Sequence, residues 1–407
     1  MAMTKLDKIP FTPIKTTLFQ QKENGETYRI PALISFREET SGQETYLAFA
    51  EKRTTPKDGD AKLLVMRRGI RKNENIEWSP LEELQSASLP GHRTMNPCPV
   101  YERNSNTLFL FFICVKDGVT EKQQIQKRKN AARLCYISSN DKGQSWNQKE
   151  GPIEIPIGEH VKDWATFAVG PGHGIQMKSG RLIVPAYAYK IPTYCCCSFC
   201  CCCCCCVKPH AFAFYSDDQG ETWLVGDQID KESCECQMAE IIDHEGISQL
   251  YCNARNTNCC QLQRVEALSK NEGASFEKAN LVPKLAEERN GCQGSVISFP
   301  KPFSEDEDGV QKDGQSAARW LLYSHPTRKR GDMGVYLNKS PPDASRWEEP
   351  WIIYHGPSAY SDLTHHEGTE QFACLMECGE KNYYEKIVFM VFCLTDVKPK
   401  ILNVINI

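Results

Sequence analysis

Two short polar motifs near the N-terminus could do chemistry. Arg29 lies in Tyr28-Arg-Ile-Pro31, where flanking β-formers and the proline predict a guanidinium held at the end of a strand. Asp58 stands before Gly59 in a turn-forming segment and offers a carboxylate. A fixed cation can bind an anion, and a carboxylate can transfer a proton. Taken alone, however, these residues predict only a surface ion pair and an ordinary turn.

Composition and motif content argue against several other functions. The net charge is -4, from 48 basic and 52 acidic residues, which gives no electrostatic basis for nucleic-acid binding. The nine histidines contain no His-Glu-x-x-His or comparable ligand set, so we expect neither a metal nor a cofactor. The first residues lack the apolar core of a secretory signal, and Ala2 stands where myristoylation requires glycine. We therefore expect the twelve cysteines outside the central cluster to be reduced thiols.

An eight-residue repeat indicates the elements that must position such residues. Near-identical copies begin at Ser139 and Ser216, with Asp, Gly and Trp at matching places, and a degenerate copy begins at Ser269. Each predicts a hairpin turn, because Asp or Asn can bond to the backbone and glycine permits positive φ, and then a strand that starts with an aromatic ring. Such repeats are typical of a β-propeller. We predict a single all-β domain over residues 1–407, with one helix over 121–132.

A run of cysteines interrupts this pattern at 195–206. The uncharged window 191–207 could pass for a short membrane span, but strands of the same propeller flank it, so we expect a loop insertion. The open alternatives are an inert low-complexity loop, S-acylation that attaches the loop to a membrane surface, and metal or redox chemistry. Every Cys-x-x-Cys spacing occurs trivially in a run, so metal binding has no specific support. A second insertion, 303–317, is acidic and glycine-broken and predicts an exposed surface loop.

Motifs along the whole chain resemble the sialidase family, the exo-acting neuraminidases. The Tyr/Phe-Arg-Ile-Pro motif at Tyr28 opens the match, which runs to about Phe392 and includes the octets. Other segments that resemble the vertebrate cytosolic and plasma-membrane sialidases are 48–53, 95–97, 184–189, 235–240, 253–255, 291–296 and 359–362. The resemblance implies a six-bladed β-propeller with an active site at the central axis.

The resemblance assigns three arginines to the carboxylate of the substrate. Sialic acid carries a carboxylate on the carbon where the glycosidic bond breaks, and guanidiniums from separate strands can grip it in planar geometry. By resemblance these arginines are Arg29, Arg255 and Arg330, with Arg328 as an adjacent competitor for the third position. Glu377 resembles the carboxylate that braces Arg29.

The resemblance also assigns the catalytic groups. The substrate carboxylate would repel a carboxylate nucleophile but not a neutral phenol, and Tyr360 matches the nucleophile of the family. A phenol of pKa about 10 needs a base, and Glu235 matches that base, with Glu240 as the weaker alternative. Asp58 matches the general acid that protonates the leaving group. The implied mechanism is retaining, through a covalent tyrosyl–sialoside.

The remaining site residues are assigned by resemblance alone. Arg53 resembles a further contact on the carboxylate side, and Met95 and Asn96 resemble the wall of the N-acyl pocket. Residues that resemble groups lining the glycerol side and the rim are Glu121, Tyr187, Tyr189 and Gln293. The short connection between Tyr360 and Glu377 and the enlarged loop after Tyr189 resemble the plasma-membrane ganglioside branch.

The function implied by the resemblance is exo-α-sialidase activity on sialylated glycolipids, gangliosides above all, and on oligosaccharides. We expect peripheral attachment to the plasma membrane, with a cytoplasmic or endolysosomal-membrane location as the alternative. Other hypotheses stay open: a lectin-like propeller that binds sialic acid without turnover, a cytosolic sialidase for soluble sialosides and glycoproteins, and a protein-interaction propeller. The joint presence of Asp58, Glu235 and Tyr360 argues against the lectin, because a lectin needs only the arginines.

Overall fold

The computed structural model describes residues 15–38, 41–192, 207–242, 246–258, 260–302, 318–366 and 368–397. The cysteine run at 195–206 and the acidic segment 303–317 lie outside the described residues. The expectations of a loop insertion, of acylation and of an acidic surface loop therefore stay predictions.

Antiparallel strands form five sheets within the described ranges. The first sheet contains β2 (Thr27–Arg37), β3 (Glu44–Arg53), β4 (Ala61–Lys72), β5 (Asn75–Trp78) and β6 (Glu82–Glu83). The second contains β7 (His92–Glu102), β8 (Thr107–Lys116), β9 (Ala132–Ser139) and β10 (Ile153–Ile155). The third contains β11 (Trp164–Val169), β12 (Ile175–Gln176), β13 (Leu182–Lys190), β14 (Lys208–Ser216) and β15 (Leu224–Val225). The fourth contains β16 (Cys234–Ile242), β17 (Ser248–Arg255), β18 (Gln263–Ser269) and β19 (Asn280–Ala286).

The fifth sheet joins both ends of the described chain. It contains β20 (Ser295–Pro300), β21 (Arg319–Arg328), β22 (Gly331–Asn338), β23 (Trp351–His365), β24 (Gln371–Cys378), β25 (Lys386–Cys393) and the N-terminal strand β1 (Lys15–Gln20). The long strand β23 pairs with β22 through its first half and with β24 through its second half. Strand β1 pairs with β25 at the edge, so the N-terminal strand closes the last sheet.

The inner strands of the sheets surround a common axis. Strand β2 contacts β7 and β23, β7 contacts β11, and β16 contacts β13 and β20. At this axis the buried Asp362 carboxylate on β23 accepts hydrogen bonds from the Leu33 backbone (2.8 Å) and Ser295 Oγ (2.8 Å), and lies 2.7 Å from His173 Nδ1. Because one buried carboxylate ties together segments far apart in the chain, it helps to fix where the strand ends meet. The predicted all-β, propeller-like fold is confirmed.

The octet repeats form the turns that the sequence predicts. In the second copy, Asp218 accepts hydrogen bonds from the Thr222 backbone (2.8 Å) and hydroxyl (2.5 Å), while Ser216 Oγ accepts one from Gly220 N (2.9 Å). Gly220 has a φ of 94°, and an added Cβ would come 2.4 Å from the Phe109 ring, so only glycine fits there. A strand follows directly only here, as β15; after the other two copies the chain first runs irregularly.

Helix α1 is shorter than predicted. It spans Glu121–Lys127, with Thr120 and Gln123 forming a capping box at its start, rather than extending over 121–132. It ends because Arg128 adopts the left-handed conformation, with a φ of 51°, and strand β9 begins at Ala132. The second helix, α2, is a single turn, Leu394–Val397.

Two further observations concern the described ranges. None of the helices there combines the length and apolar character that crossing a bilayer requires. The buried cysteines in this part of the chain are free thiols, namely Cys98, Cys114, Cys135, Cys234, Cys236, Cys252, Cys292, Cys374 and Cys378.

Candidate active site

A tyrosine, a glutamate and an arginine from three strands are in direct contact. Tyr360 on β23 donates its phenol proton to Glu235 on β16, with 2.5 Å between Tyr360 Oη and Glu235 Oε1. Arg255, the last residue of β17, donates from Nη1 to Glu235 Oε2 (2.6 Å) and to Tyr360 Oη (3.0 Å). Burial raises the pKa of the Tyr360 phenol well above its usual value, and the Glu235 charge adds to this effect. The phenol is therefore neutral in the resting site and lies next to a base that can take its proton.

Arg29 is held against the same tyrosine by a buried carboxylate. Its Nε donates to Glu377 Oε1 at 2.6 Å, and the Ile30 backbone N–H donates to the same oxygen at 2.8 Å. Ile30 has a φ of 61°, which a β-branched residue rarely adopts, and the pairing of β2 with β3 shifts between Arg29 and Ala32. This bulge turns the strand so that the Arg29 guanidinium carbon lies 5.4 Å from the centre of the Tyr360 ring.

The structure brings Arg330, rather than Arg328, to the site. Arg330 lies in the turn between β21 and β22 with a φ of 41°, and its guanidinium carbon is 5.4 Å from the centre of the Tyr360 ring. The side chain of Arg328 is 65% exposed and pairs with Asp332 on the surface. Arg29, Arg255 and Arg330 thus all contact the Tyr360 side chain, which groups three cations at one place where an anion could bind.

Asp58 lies on the loop after β3 and is held by a buried arginine. Its carboxylate accepts a hydrogen bond from Arg53 Nη1 at 2.6 Å, yet 77% of its side chain stays exposed. Partial desolvation of the carboxyl group between neighbouring side chains opposes ionisation, but nearby arginines, with Arg53 the strongest and Arg29 next, outweigh this and lower the pKa of Asp58. Arg53 is itself fixed by the fully buried Glu51 at 2.6 Å.

Met95 and Asn96 lie on a bulged part of β7 next to this ion-pair group. The Asn96 backbone N–H donates to Glu51 Oε1 at 2.7 Å, and its side-chain amide donates to the Val169 carbonyl at 3.1 Å. Asn96 has a φ of 60°, and the pairing of β7 with β8 shifts between Met95 and Cys98. Both side chains are nearly buried, so each can contribute a wall but little open surface.

Glu121, Tyr187 and Tyr189 form another side of the site. Glu121 is exposed as a residue at the start of α1, but burial of its carboxyl group, with the charges of Glu235 and Asp58, raises its pKa to about 7. Tyr189 hydrogen-bonds to Glu121, and the ring centres of Tyr187 and Tyr189 are 6.2 Å apart. Tyr187 is buried and also belongs to the core, whereas Tyr189 is only partly buried.

One expected position differs in the structure, and one alternative is excluded. Gln293 does not lie on the rim: it is 1% exposed, and its side-chain amide exchanges hydrogen bonds with the Ser361 backbone at 3.0 Å in both directions. It is buried because it supports the strand that carries Tyr360. Glu240 accepts hydrogen bonds from Lys178 N (3.1 Å) and Ser248 Oγ (2.6 Å) near the other end of β16, so it cannot serve as the base for Tyr360.

The structure adds two residues to the site that were not assigned from the sequence, Glu51 and Tyr383. Glu51 could have been found, since Glu51 and Arg53 alternate on one face of a strand within a motif already noted. Tyr383 packs beside Arg29 and Arg330, with its ring centre 5.2 and 5.0 Å from their guanidinium carbons. No local pattern marks Tyr383, because it lies in a loop after β24. Among the described residues, no group of three or more His, Cys, Asp or Glu side chains could hold a metal ion.

Comparisons with known proteins show the family to which this chain is similar. A family model described as a BNR repeat-like domain matches residues 44–372. The chain is 47% identical to Sialidase-3 of Mus musculus, over 95% of this chain and 96% of that protein, and 45% identical to Sialidase-3 of Homo sapiens, over 95% and 94%. It is 38% identical to Sialidase-4 of Homo sapiens, over 96% of this chain and 95% of that protein.

Solved structures with the same fold are more distant in sequence. A Hadza microbial sialidase superposes with a TM-score of 0.68 at 18% identity, covering 94% of this chain and 69% of that chain. Trypanosoma rangeli sialidase superposes with a TM-score of 0.65 at 16% identity, covering 96% and 60%. The fold agrees with these structures, and the near full-length identity to the curated relatives shows that this chain belongs to the sialidase family.

Proposed function

We propose that this chain is an exo-α-sialidase, a glycoside hydrolase that releases terminal sialic acids from glycoconjugates. The observation that carries the proposal is the Tyr360–Glu235 contact at 2.5 Å within a group of three arginines. Three cations around one point suit a carboxylate on the reacting carbon, and a neutral phenol beside a base suits nucleophilic attack there. Relatives named as sialidases, aligned over nearly the whole chain, support the same activity.

The proposed mechanism is retaining and uses two proton transfers in each half. With the substrate carboxylate held by Arg29, Arg255 and Arg330, the Tyr360 oxygen attacks the anomeric carbon and its proton passes to Glu235. The bond to the leaving oxygen breaks as Asp58 protonates that oxygen. Water then attacks the same carbon with Asp58 as the base, and the Tyr360 oxygen leaves and recovers its proton from Glu235.

The ionisation of Asp58 predicts the pH range of turnover. Because nearby arginines lower the pKa of Asp58, its protonated form is scarce at neutral pH in the free protein. A general acid must carry its proton when the bond breaks, so we expect turnover to be higher in mildly acidic solution than at neutral pH.

We also propose that the propeller has six blades. Four sheets supply one blade each, and the seven-stranded sheet supplies two, divided at β23, whose halves pair with different neighbours. Under this division, the first strand of each blade lies next to the axis, where Arg29, Glu235 and Tyr360 meet.

The proposed substrates are sialylated glycolipids, with gangliosides preferred over soluble oligosaccharides. The spacing from Tyr360 to Glu377 and the identity to proteins named Sialidase-3 support this branch. We further propose peripheral attachment to the plasma membrane through S-acylation of the 195–206 cysteines. Recovery of the protein with membranes should fall when these cysteines are replaced by serine, and unchanged recovery would contradict acylation. Turnover of a ganglioside compared with sialyllactose by purified protein tests the substrate preference.

Release of a fluorophore from an α-linked sialoside at mildly acidic pH tests the enzyme proposal. We expect turnover by purified protein, and none by protein unfolded beforehand. A folded protein that binds a sialic acid analogue but releases no fluorophore would instead be a lectin-like propeller. A folded protein that does neither would contradict both functions.

A further inference from the structure

The three arginines of the site differ in how they are held. Arg29 donates to the buried Glu377, and Arg255 donates to Glu235 and, from Nε and Nη2, to the Asn290 carbonyl at 2.8 and 2.6 Å. The guanidinium of Arg330, by contrast, has no carboxylate or hydrogen-bond partner among the described residues. Arg330 extends from the tight turn between β21 and β22 and is only partly buried. Because its guanidinium lacks a polar partner in the described part of the chain, no hydrogen bond there fixes its direction.

Two aromatic rings take the place of that polar partner. The guanidinium carbon of Arg330 lies 5.4 Å from the centre of the Tyr360 ring and 5.0 Å from the centre of the Tyr383 ring. The guanidinium carbon of Arg29 lies 5.4 and 5.2 Å from the same two rings. Two like charges thus share a pair of aromatic rings, whose electron-rich faces attract cations. This attraction partly offsets the repulsion between the two guanidiniums.

Tyr383 is the ring that can do this throughout the reaction. Tyr360 is the proposed nucleophile and must change its bonding in each half of the reaction, whereas Tyr383 takes no part in bond making. Its loop is well fixed, because the Glu385 carboxylate accepts backbone hydrogen bonds from Glu380, Lys381 and Asn382 at 2.8 to 2.9 Å. The Tyr383 ring also packs against the small apolar cluster that contains Tyr360.

We propose that Tyr383 is a positioning residue that holds the otherwise unbraced Arg330 in the orientation that binds the substrate carboxylate. The inference rests on the proposed function, because it assigns Arg330 to that carboxylate. The ring rather than the hydroxyl carries the effect, since the Tyr383 hydroxyl has no hydrogen-bond partner among the described residues. Phenylalanine at position 383 should therefore preserve the positioning of Arg330, and an aliphatic or amide side chain should not.

The experiment compares Tyr383→Phe with Tyr383→Leu and Tyr383→Gln in the full chain. It measures KM and kcat on a fluorogenic α-sialoside, and the inhibition constant of an unreactive sialic acid analogue that carries the carboxylate. We expect Leu and Gln each to raise KM and the inhibition constant about 3- to 30-fold, the range of a cation–π contact, with a smaller change in kcat. Phe should stay within about twofold of the wild type.

A second set of variants tests whether the effect passes through Arg330. In an Arg330→Ala background, Tyr383→Leu should add little to the loss of analogue binding, because the two residues act as one unit. In an Arg328→Ala background, which changes only the exposed neighbour, Tyr383→Leu should keep its full effect. Thermal unfolding identifies any variant that is misfolded, and two ring-free variants are used so that one misfolded protein does not end the test.

Three outcomes would overturn the inference: unchanged constants in both ring-free variants, an equal loss in Tyr383→Phe, or full additivity with Arg330→Ala. Failure of the proposed function gives a different result. In that case the wild type itself lacks turnover, while analogue binding still reports on Tyr383.

Discussion

The phenol oxygen of Tyr360 lies 2.5 Å from a carboxylate oxygen of Glu235, although 125 positions separate the two residues in the chain. The contact exists because β23 and β16 both border the axis, and Arg255 bonds to both partners. Burial keeps the phenol protonated until a substrate arrives, and Glu235 is its nearest acceptor. Under the proposed mechanism, the nucleophile and its base are therefore in contact before a substrate binds.

Replacing Tyr360 with Phe should abolish nearly all turnover. The change removes the attacking oxygen but keeps the ring beside Arg29 and Arg330, so binding of a sialic acid analogue should stay largely intact. We expect kcat on a fluorogenic α-sialoside to fall by a factor of about 10³ or more, as when other nucleophiles are removed.

Glu235→Gln gives a second test of the same contact. It keeps the size of the side chain and the nucleophile but removes the base, so it should also lower kcat by orders of magnitude. Thermal unfolding should show that both variants are folded. If Tyr360→Phe retained substantial turnover, Tyr360 would not be the nucleophile.

Arg53 should set the pH range in which Asp58 acts as a general acid. The kcat/KM of an enzyme that uses a general acid falls as pH rises through the pKa of that acid. Arg53 lowers the pKa of Asp58. Replacing Glu51 with Gln and Arg53 with Met together removes the cation without leaving a buried carboxylate unpaired. We expect the pKa of Asp58 to rise, so that the descending limb of kcat/KM moves to higher pH than in the wild type.

Arg53→Lys keeps a cation and is the control for this pH shift. Its descending limb should stay near that of the wild type, even if KM changes at this position, where the family resemblance implies a substrate contact. A limb that does not move in the double variant would show that another group supplies the proton.

The turns could be predicted from the sequence because each is stabilised within eight residues. The bonds of Asp218 to Thr222 and of Ser216 to Gly220 follow from residue types alone, and so does the position of each turn. The catalytic residues and the arginines could be assigned because the family resemblance marks them, whether they lie inside a strand, as Tyr360 does, or in a loop, as Asp58 does. The predicted length of α1 was wrong, since the helix ends where Arg128 adopts the left-handed conformation, and helix propensity does not predict that conformation.

The parts that could not be predicted are contacts between distant segments. Tyr383 belongs to no motif, and its ring meets Arg29 and Arg330 only because the loop after β24 lies beside β2 and the turn between β21 and β22. Gln293 carries a family motif yet lies buried, since the Ser361 backbone uses both ends of its amide. A residue type and a spacing therefore indicated the region, but not which polar groups face the substrate.

Ionisation of Glu121 should weaken substrate binding as the pH rises. Burial and the charges of Glu235 and Asp58 raise its pKa to about 7, so the group is neutral below that pH and negative above it. A new negative charge repels an anionic sialoside. We expect the inhibition constant of a sialic acid analogue to rise as pH increases through about 7, and this rise should be absent in Glu121→Gln.

The exposed Glu159 gives a matched control, because Glu159→Gln removes a carboxylate with an 84% exposed side chain outside the site. It should leave the pH dependence of analogue binding unchanged. If Glu121→Gln kept the same rise, the titrating group would lie elsewhere.

The octet turns should matter for stability and not for chemistry. Asp218→Ala removes the acceptor of two hydrogen bonds from Thr222, and we expect the free energy of unfolding to fall by about 1–2 kcal/mol. Turnover of the folded variant should equal that of the wild type. Asp218→Asn is the control, since the third octet already uses Asn271 at this place, and it should cost less. Lost turnover in folded Asp218→Ala would contradict a purely structural role.

Arg264 and Glu287 form a fully buried ion pair that should stabilise both the fold and Arg255. Arg264 Nη1 lies 2.6 Å from Glu287 Oε1 and donates to the Cys292 carbonyl at 2.6 Å, which fixes the segment 287–292. The Asn290 carbonyl of this segment accepts two hydrogen bonds from Arg255, one from Nε and one from Nη2. Breaking a buried pair leaves an unpaired charge, so Glu287→Gln should lower the free energy of unfolding by about 3–5 kcal/mol and raise KM.

The pH dependence gives this last prediction a second, independent test. Burial opposes ionisation of Glu287, but Arg264 and His325 outweigh it and lower its pKa to about 2, below the ordinary value near 4.5. A carboxyl group whose pKa is lowered by folding stabilises the fold at any pH above its pKa in the unfolded chain. This contribution disappears as pH falls from about 4.5 towards about 2. The difference in unfolding free energy between wild type and Glu287→Gln, measured with denaturant, should therefore shrink below about pH 4.5. Glu154→Gln, which breaks the exposed pair with Arg133, should cost less than about 1 kcal/mol, and an equal cost at Glu287 would contradict the prediction.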